Sequence, residues 1–129
     1  MVAAIMLMLP ADGCASRLSS NFDEREVQEK AEEIAELSCT GKIGEAYGML
    51  SEMMKAQITE DQIRAGIEGT IEPLGDFEKI SGTNISGQKD KDTGKEYALA
   101  IVMAQFSDGR AQFTISFDTE MNCIGFYIK

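Results

Sequence analysis

The chain has 129 residues, enough for one hydrophobic core and too few for two. Its 43% hydrophobic and 26% charged composition is that of a folded domain and not of a disordered segment. Twelve Lys and Arg against 22 Asp and Glu leave a formal charge of −10, a field that repels phosphate backbones and argues against a nucleic-acid partner; the lack of any His removes imidazole bases, Ser–His and Cys–His nucleophile pairs and His-ligated metals.

Val2 to Leu9 is almost uninterrupted apolar sequence, followed by Pro10 and by Ala11-Asp12-Gly13-Cys14-Ala15-Ser16. The run is too short to span a membrane, which takes about 20 apolar residues, and it matches the hydrophobic part of a secretory signal. A small residue directly before Cys14 marks a bacterial lipoprotein site, where the Cys is acylated and becomes the new N-terminus. The missing basic residues ahead of the run, and Asp12 where a small uncharged residue belongs, speak for the alternative of a cytosolic chain with an apolar end. Residues 1–21 are thus read as leader and tether, and residues 22–129 as a single domain. Membrane contact is expected only through the lipid.

Asn21 with Glu24 reads as a capping box. Behind it Val27, Ala31, Ile34, Ala35 and Ser38 recur at helical spacing, widened by Leu37, with Glu26, Glu29, Lys30, Glu33 and Glu36 on the solvated side. Gly41 is the stop signal. A second helix carries Ile43, Ala46, Tyr47, Leu50, Met53 and Met54, its propensity lowered by Gly44 and Gly48. The methionines read as core filler. A third helix opens at Thr59 with Gln62 in a capping box, presents Ile63, Ile67, Ile71 and Leu74, and ends at Pro73 and Gly75.

After Gly75 the period drops to two. Strands are expected at Asp76–Ser86 with a kink at Gly82, Glu96–Phe106, Arg110–Phe117 and Asn122–Ile128. Three helices followed by four strands indicate an α+β fold, with the helices on one face of a curved antiparallel sheet. Asp90-Lys91-Asp92-Thr93-Gly94-Lys95-Glu96 shares residues with a calcium loop, but its Gly comes one position early and two Lys intervene, so it reads as a solvated hairpin loop. No cofactor or metal is implied.

Asp108-Gly109 is the favoured dipeptide of a two-residue hairpin turn. It predicts the pairs Phe106–Ala111, Ala104–Phe113, Val102–Ile115 and Ala100–Phe117. The next turn then pairs Phe113 with Phe126 and Ile115 with Ile124. All of these fall on the face that the helices cover, which leaves no ionisable side chain there. The opposite face receives Tyr97, Leu99, Ile101, Met103 and Gln105, then Gln112, Thr114 and Ser116, then Cys123, Gly125 and Tyr127. Its apolar stripe marks a candidate interface for a protein partner or a homodimer, with Tyr97, Leu99, Ile101, Met103, Thr114 and Tyr127 as its residues. Cys123 on that face and Cys39 on the helix side would be separated by the sheet, so no disulfide joins them.

The pattern resembles the bacterial family called domain of unknown function 3887. The residues that carry the resemblance are Ala31, Ile34 and Leu37; Gly41-Lys42-Ile43 with Ala46-Tyr47; Leu74-Gly75-Asp76-Phe77-Glu78-Lys79-Ile80; Phe113-Thr114-Ile115-Ser116-Phe117-Asp118; and Ile124-Gly125-Phe126-Tyr127-Ile128. The resemblance spans roughly residues 22 to 129. It implies a cystatin-like or nuclear-transport-factor-2-like fold and an accessory module of secreted or lipid-anchored proteins, with no catalytic residues to carry over. Some enzymes of the wider fold group, ketosteroid isomerase-like and dehydratase-like, use a pocket between sheet and helices. In this chain Tyr47 is the one polar side chain aimed there. The sequence therefore favours a non-catalytic extracytoplasmic binding domain, with a small apolar ligand or weak acid–base chemistry near Tyr47 as the alternative.

Overall fold

The computed structural model describes residues 18–129. Cys14 and the apolar run before it lie outside the described residues. The chain forms α1 (Glu24–Cys39), α2 (Ile43–Gly48), α3 (Glu52–Gln57), α4 (Glu60–Ile71), a 3₁₀ turn at Glu72–Leu74, and then β1 (Phe77–Lys89), β2 (Glu96–Phe106), β3 (Gly109–Phe117) and β4 (Cys123–Ile128). The four strands make one curved antiparallel meander in the order β1-β2-β3-β4, with the helical layer ahead of it in sequence and on one side of it in space.

The expected faces of α1 are the observed ones. Val27, Ala31, Ile34, Ala35 and Ser38 have no exposed surface, and the buried Ser38 hydroxyl donates to the Ile34 carbonyl at 2.8 Å. The start differs from expectation. Asp23, not Asn21, caps the helix, its carboxylate accepting from the Arg25 and Glu26 amides. Asn21 and Ser19 instead each donate to Glu96 at 2.8 Å, which ties the segment before α1 to the start of β2. At the other end Gly41 lies at φ 83°, and the Lys42 amide returns to the Leu37 carbonyl at 3.0 Å. A left-handed glycine with that bond closes the helix.

The expected second helix is two short ones. Between them, Leu50 forms a parallel bridge with Cys123, and the Ser51 amide donates to the Cys123 carbonyl at 2.9 Å. Ser51 then caps α3 through Met54. Pairing with the edge of β4 thus outcompetes continuation of a glycine-weakened helix. For α4 the expected capping box is present, with Thr59 and Gln62 bonded reciprocally.

The hairpin register departs from expectation by two residues. The turn is Ser107-Asp108, and Phe106 faces Gly109, so the pairs are Ala104–Ala111, Val102–Phe113, Ala100–Ile115 and Ala98–Phe117. Among the described residues, only Met121 and three glycines other than Gly109 have positive φ, so this turn is not the mirror-image type that Asp-Gly favours. The cause is tertiary. The Ser107 and Asp108 amides donate to the Asp76 and Leu74 carbonyls at 2.8 and 2.7 Å, and the Asp76 amide donates to the Ser107 hydroxyl at 3.0 Å. A Cβ at Gly109 would stand 2.8 Å from Leu74 Cδ2, so the Leu74 side chain packs directly over this residue. Because a slip of two preserves side-chain alternation, the residues of β2 and β3 stay on their expected faces.

β3 and β4 are likewise shifted by two, to Phe113–Ile128 and Ile115–Phe126, and an irregularity then pairs Phe117 with Cys123. That irregularity corrects two expectations. Ile124 becomes the extra residue and is half-buried, while Cys123 turns inward and has no exposed surface. Bulges of this kind swap the face a strand presents. Both Cys39 and Cys123 are therefore on the helix side, and both are free thiols.

The Leu74–Asp76 latch on the hairpin turn rests on Gly75, at φ 87° and ψ −147°, a region open essentially to glycine alone. A Cβ there would also clash with the Ser107 hydroxyl. Gly75→Ala is expected to lower stability by about 2–4 kcal/mol, read as a fall in the urea midpoint; an unchanged midpoint would mean the latch does not hold the turn.

Candidate functional site

Alternation divides the sheet into two unlike faces. The helix-covered face carries Ala98, Ala100, Val102, Ala104 and Phe106, then Ala111, Phe113, Ile115 and Phe117, then Cys123, Phe126 and Ile128, none more than 4% exposed. Phe113 and Phe126 meet edge to face with centroids 5.9 Å apart. Among the described residues the buried polar side chains are Ser38 and Ser116, so no carboxylate is buried against this hydrocarbon.

The opposite face bears the sequence-derived interface residues, and the sheet brings all six together. Tyr97, Leu99, Ile101 and Met103 follow one another along β2 and are half-buried, as are Thr114 on β3 and Tyr127 on β4. Cross-strand pairing sets Asn84, Ile101, Thr114 and Tyr127 in one row across the four strands. Ser86, Leu99, Ser116 and Gly125 form the next row. The result is a central Tyr–Leu–Ile–Met stripe with Asn, Ser, Thr and Gln beside it, and with Glu78, Lys79, Arg110 and Lys129 toward its Gln105 end. The polar neighbours on β1 were not foreseen, because the pairing of Asn84 and Ser86 with β2 depends on bulges between Phe77 and Lys79 and between Ile80 and Gly82.

Tyr47 is half-buried, and its hydroxyl donates to the Ile58 carbonyl at 2.7 Å, with the Lys55 carbonyl 3.3 Å away. It ties α2 to the loop between α3 and α4. This is the usual state of a part-buried tyrosine with its polar tip satisfied. Two surface recesses lie elsewhere. One, of about 330 Å³, runs along the acidic side of α1 past Glu29, Glu33, Glu36 and Leu37. The other, of about 510 Å³, lies at the end of α4 and is lined by Cys39, Glu68, Glu72, Asp76, Phe77 and Phe106 among others. Tyr47 lines neither. The Asp90 carboxylate is engaged within its own turn, accepting from the Asp92 and Thr93 amides.

The family described as "Protein of unknown function (DUF3887)" matches residues 31–126. The chain belongs to this family. Its matched span runs from mid-α1 to Phe126 in β4, so it includes the latch, all three hairpin connections and most of the open face. A structure described as an NMR structure of a protein from Ruminococcus gnavus ATCC 29149 is similar to the chain at 19% identity, with a TM-score of 0.73. The similarity covers 87% of this chain and 96% of that one. At that identity the likeness is one of fold. No curated protein matches the chain.

The two described thiols behave as core groups. Burial, aided by the Glu36 carboxylate, raises Cys39 from the ordinary 9.0 to about 12, and burial does the same for Cys123. A thiol with a raised folded pKa keeps its proton in the native state where the unfolded chain would lose it. Its stabilisation is full below pH about 9 and is lost as pH rises toward 12. Native protein at pH 8 should leave Cys39 and Cys123 unmodified by a thiol-specific disulfide reagent, with both reacting in denaturant, and its urea midpoint should fall above pH 9. Rapid native modification of either would contradict their burial.

Proposed function

We propose that this chain is a non-catalytic accessory domain on the extracytoplasmic side of a bacterial membrane, held there by lipid on Cys14 and acting through the open face of its sheet. The observation that carries the reading is the asymmetry of the two sheet faces. One is filled by the chain's own hydrocarbon, and the other presents Tyr97, Leu99, Ile101 and Met103 with polar neighbours along it and Glu78, Lys79, Arg110 and Lys129 at one end. A stripe of that kind with a hydrogen-bonding rim fits a protein contact surface better than a solvated face. The Gly13-Cys14 pair behind an apolar run supports the anchored location. The helix-then-meander order, with α1 lying across a curved four-stranded sheet, is consistent with placing the domain in the cystatin-like, nuclear-transport-factor-2-like group.

Both parts of the reading are open to direct test. In cells fed labelled palmitate the chain should take up label, and Cys14→Ala should abolish it; undiminished labelling or none in either form removes the lipid anchor. A photo-crosslinking amino acid in place of Thr114 should give a discrete adduct in cells, whereas the same group at Glu33 on the solvated side of α1 should not. Absence of any adduct from position 114 removes the contact-surface role.

A further inference from the structure

We infer that the recess at the end of α4 binds a linear diammonium ion, two amines joined by a short hydrocarbon chain. The site is separate from the open sheet face and from Tyr47. Its volume of about 510 Å³ falls among small-molecule sites, which run to ~300–1,000 Å³. The floor is apolar. Phe77 and Phe106 meet edge to face there with centroids 5.6 Å apart, and Ile71 lines it beside them. The rim is negative. It carries Glu68 in α4, Glu72 just after it and Asp76 from the latch, all three exposed. Asp108 adds a fourth carboxylate, its Oδ2 2.8 Å from where a Cβ on Gly75 would stand.

The chain supplies little positive charge of its own here. Among the described residues no Lys or Arg lines the recess, and Arg64 reaches Glu68 only at 3.9 Å, being held by Glu60 at 2.8 Å. Two helix ends deepen the field. α1 ends at Cys39 and α4 at Ile71, both residues line the recess, and neither helix has a basic residue in its last turn. The partial negative charge of a helix C-terminus thus occurs twice in one place without a basic side chain to meet it. The Cys39 thiol points to a ligand independently. It lines the recess at 8% exposure and has no hydrogen-bond partner among the described residues, and its polarizable sulfur suits contact with the methylene beside an ammonium group.

How the charges are spread selects the ligand. The carboxylates do not converge: among the described residues no group of three His, Cys, Asp or Glu could hold a metal ion. A compact dication would meet one carboxylate and leave the others unpaired. Glu68 and Glu72 stand one helical turn apart, with the Glu72 amide still bonded to the Glu68 carbonyl. That spacing is about 6 Å, the reach of a four-methylene chain between two amines. With the amines at Glu68 and Glu72, the hydrocarbon between them lies over Ile71 and the phenyl pair, and a ring face adds cation–π attraction. The acidic recess along α1 lacks this combination. Its apolar lining is Leu37, Lys42 already stands in it, and Glu32 is engaged by Gln28 and Thr83.

The experiment titrates 1,4-diaminobutane into the isotope-labelled full chain carrying Cys14→Ser and follows backbone amide shifts. The shifts should saturate and centre on Ile71, Gly75, Asp76 and Phe77. 1-Aminobutane, with one charge, should bind about tenfold more weakly, and 1,4-butanediol should leave the spectrum unchanged. Glu68→Gln and Glu72→Gln should each weaken the diamine about threefold, and together about tenfold, while keeping the circular dichroism spectrum of the parent chain. Glu33→Gln, on the outer side of α1, should leave binding as it is. A response that magnesium chloride reproduces, or that Glu33→Gln weakens as much as Glu72→Gln does, reduces the effect to counterion attraction by an anionic molecule and overturns the site. Shifts that fail to saturate at millimolar diamine overturn it too. Equal binding of 1-aminobutane overturns the pairing of two amines with Glu68 and Glu72. None of these outcomes bears on position 114, so the open-face reading stands or falls separately.

Discussion

The close seating of α1 on the alanine side of β2 is the contact on which the rest of the molecule depends. Ala31 and Ala35 on the helix and Ala98, Ala100 and Ala104 on the strand are all without exposed surface. Small side chains on both partners bring the helix axis close to the sheet, and the larger Phe113, Phe117 and Ile115 of β3 fill the space beside it. Large facing small is how a core reaches full density without strain. Two polar anchors fix the helix at that depth: Thr83 of β1 donates to Glu32, and Lys30 reaches the Met121 carbonyl at 3.3 Å. Neither is worth more than a fraction of the apolar burial, since burying a side chain such as Ile34 contributes about 1.5–3 kcal/mol and a part-exposed hydrogen bond about 0.5–1.5.

That seating also shapes what the domain can do. With the concave side occupied by Ala, Phe and Ile, the distinctive chemistry moves to the other side of the sheet. There the strands present residues that no helix of the described chain covers. The distribution of charge follows the same division. Carboxylates crowd the outer side of α1, the end of α4 and the turns, where water solvates them, and the open sheet face is left nearly free of them. An anionic shell around most of the molecule with one neutral-to-cationic face is a directional surface, and it restricts which approach of another molecule is favourable.

The sheet's detail comes from devices that have no period. The Leu74–Asp76 latch moves the β2–β3 turn to Ser107-Asp108. The bridge from Leu50 and Ser51 engages the backbone of Cys123 just where the pairing with β3 becomes irregular. The bulges of β1 decide which polar residues stand beside Ile101 and Leu99. Each sets a pairing through a contact from a distant part of the chain, and each involves backbone amides and carbonyls, whose partners leave little trace in side-chain pattern.

The amino-acid order by itself determined the helical layer, the four-strand meander, which side of β2 and β3 faces inward, and the six residues that meet on the open face. Those follow from periods of 3.6 and 2, and alternation survives a register slip of two. Only the tertiary structure decided the pairing partners, the inward turn of Cys123, the break between α2 and α3 and the engagement of Tyr47 by two carbonyls. The reason is that a hairpin dipeptide or a helical stripe expresses local preference of about 1 kcal/mol or less per residue, and a few long-range backbone bonds, made possible by the left-handed backbone of Gly75, outweigh it.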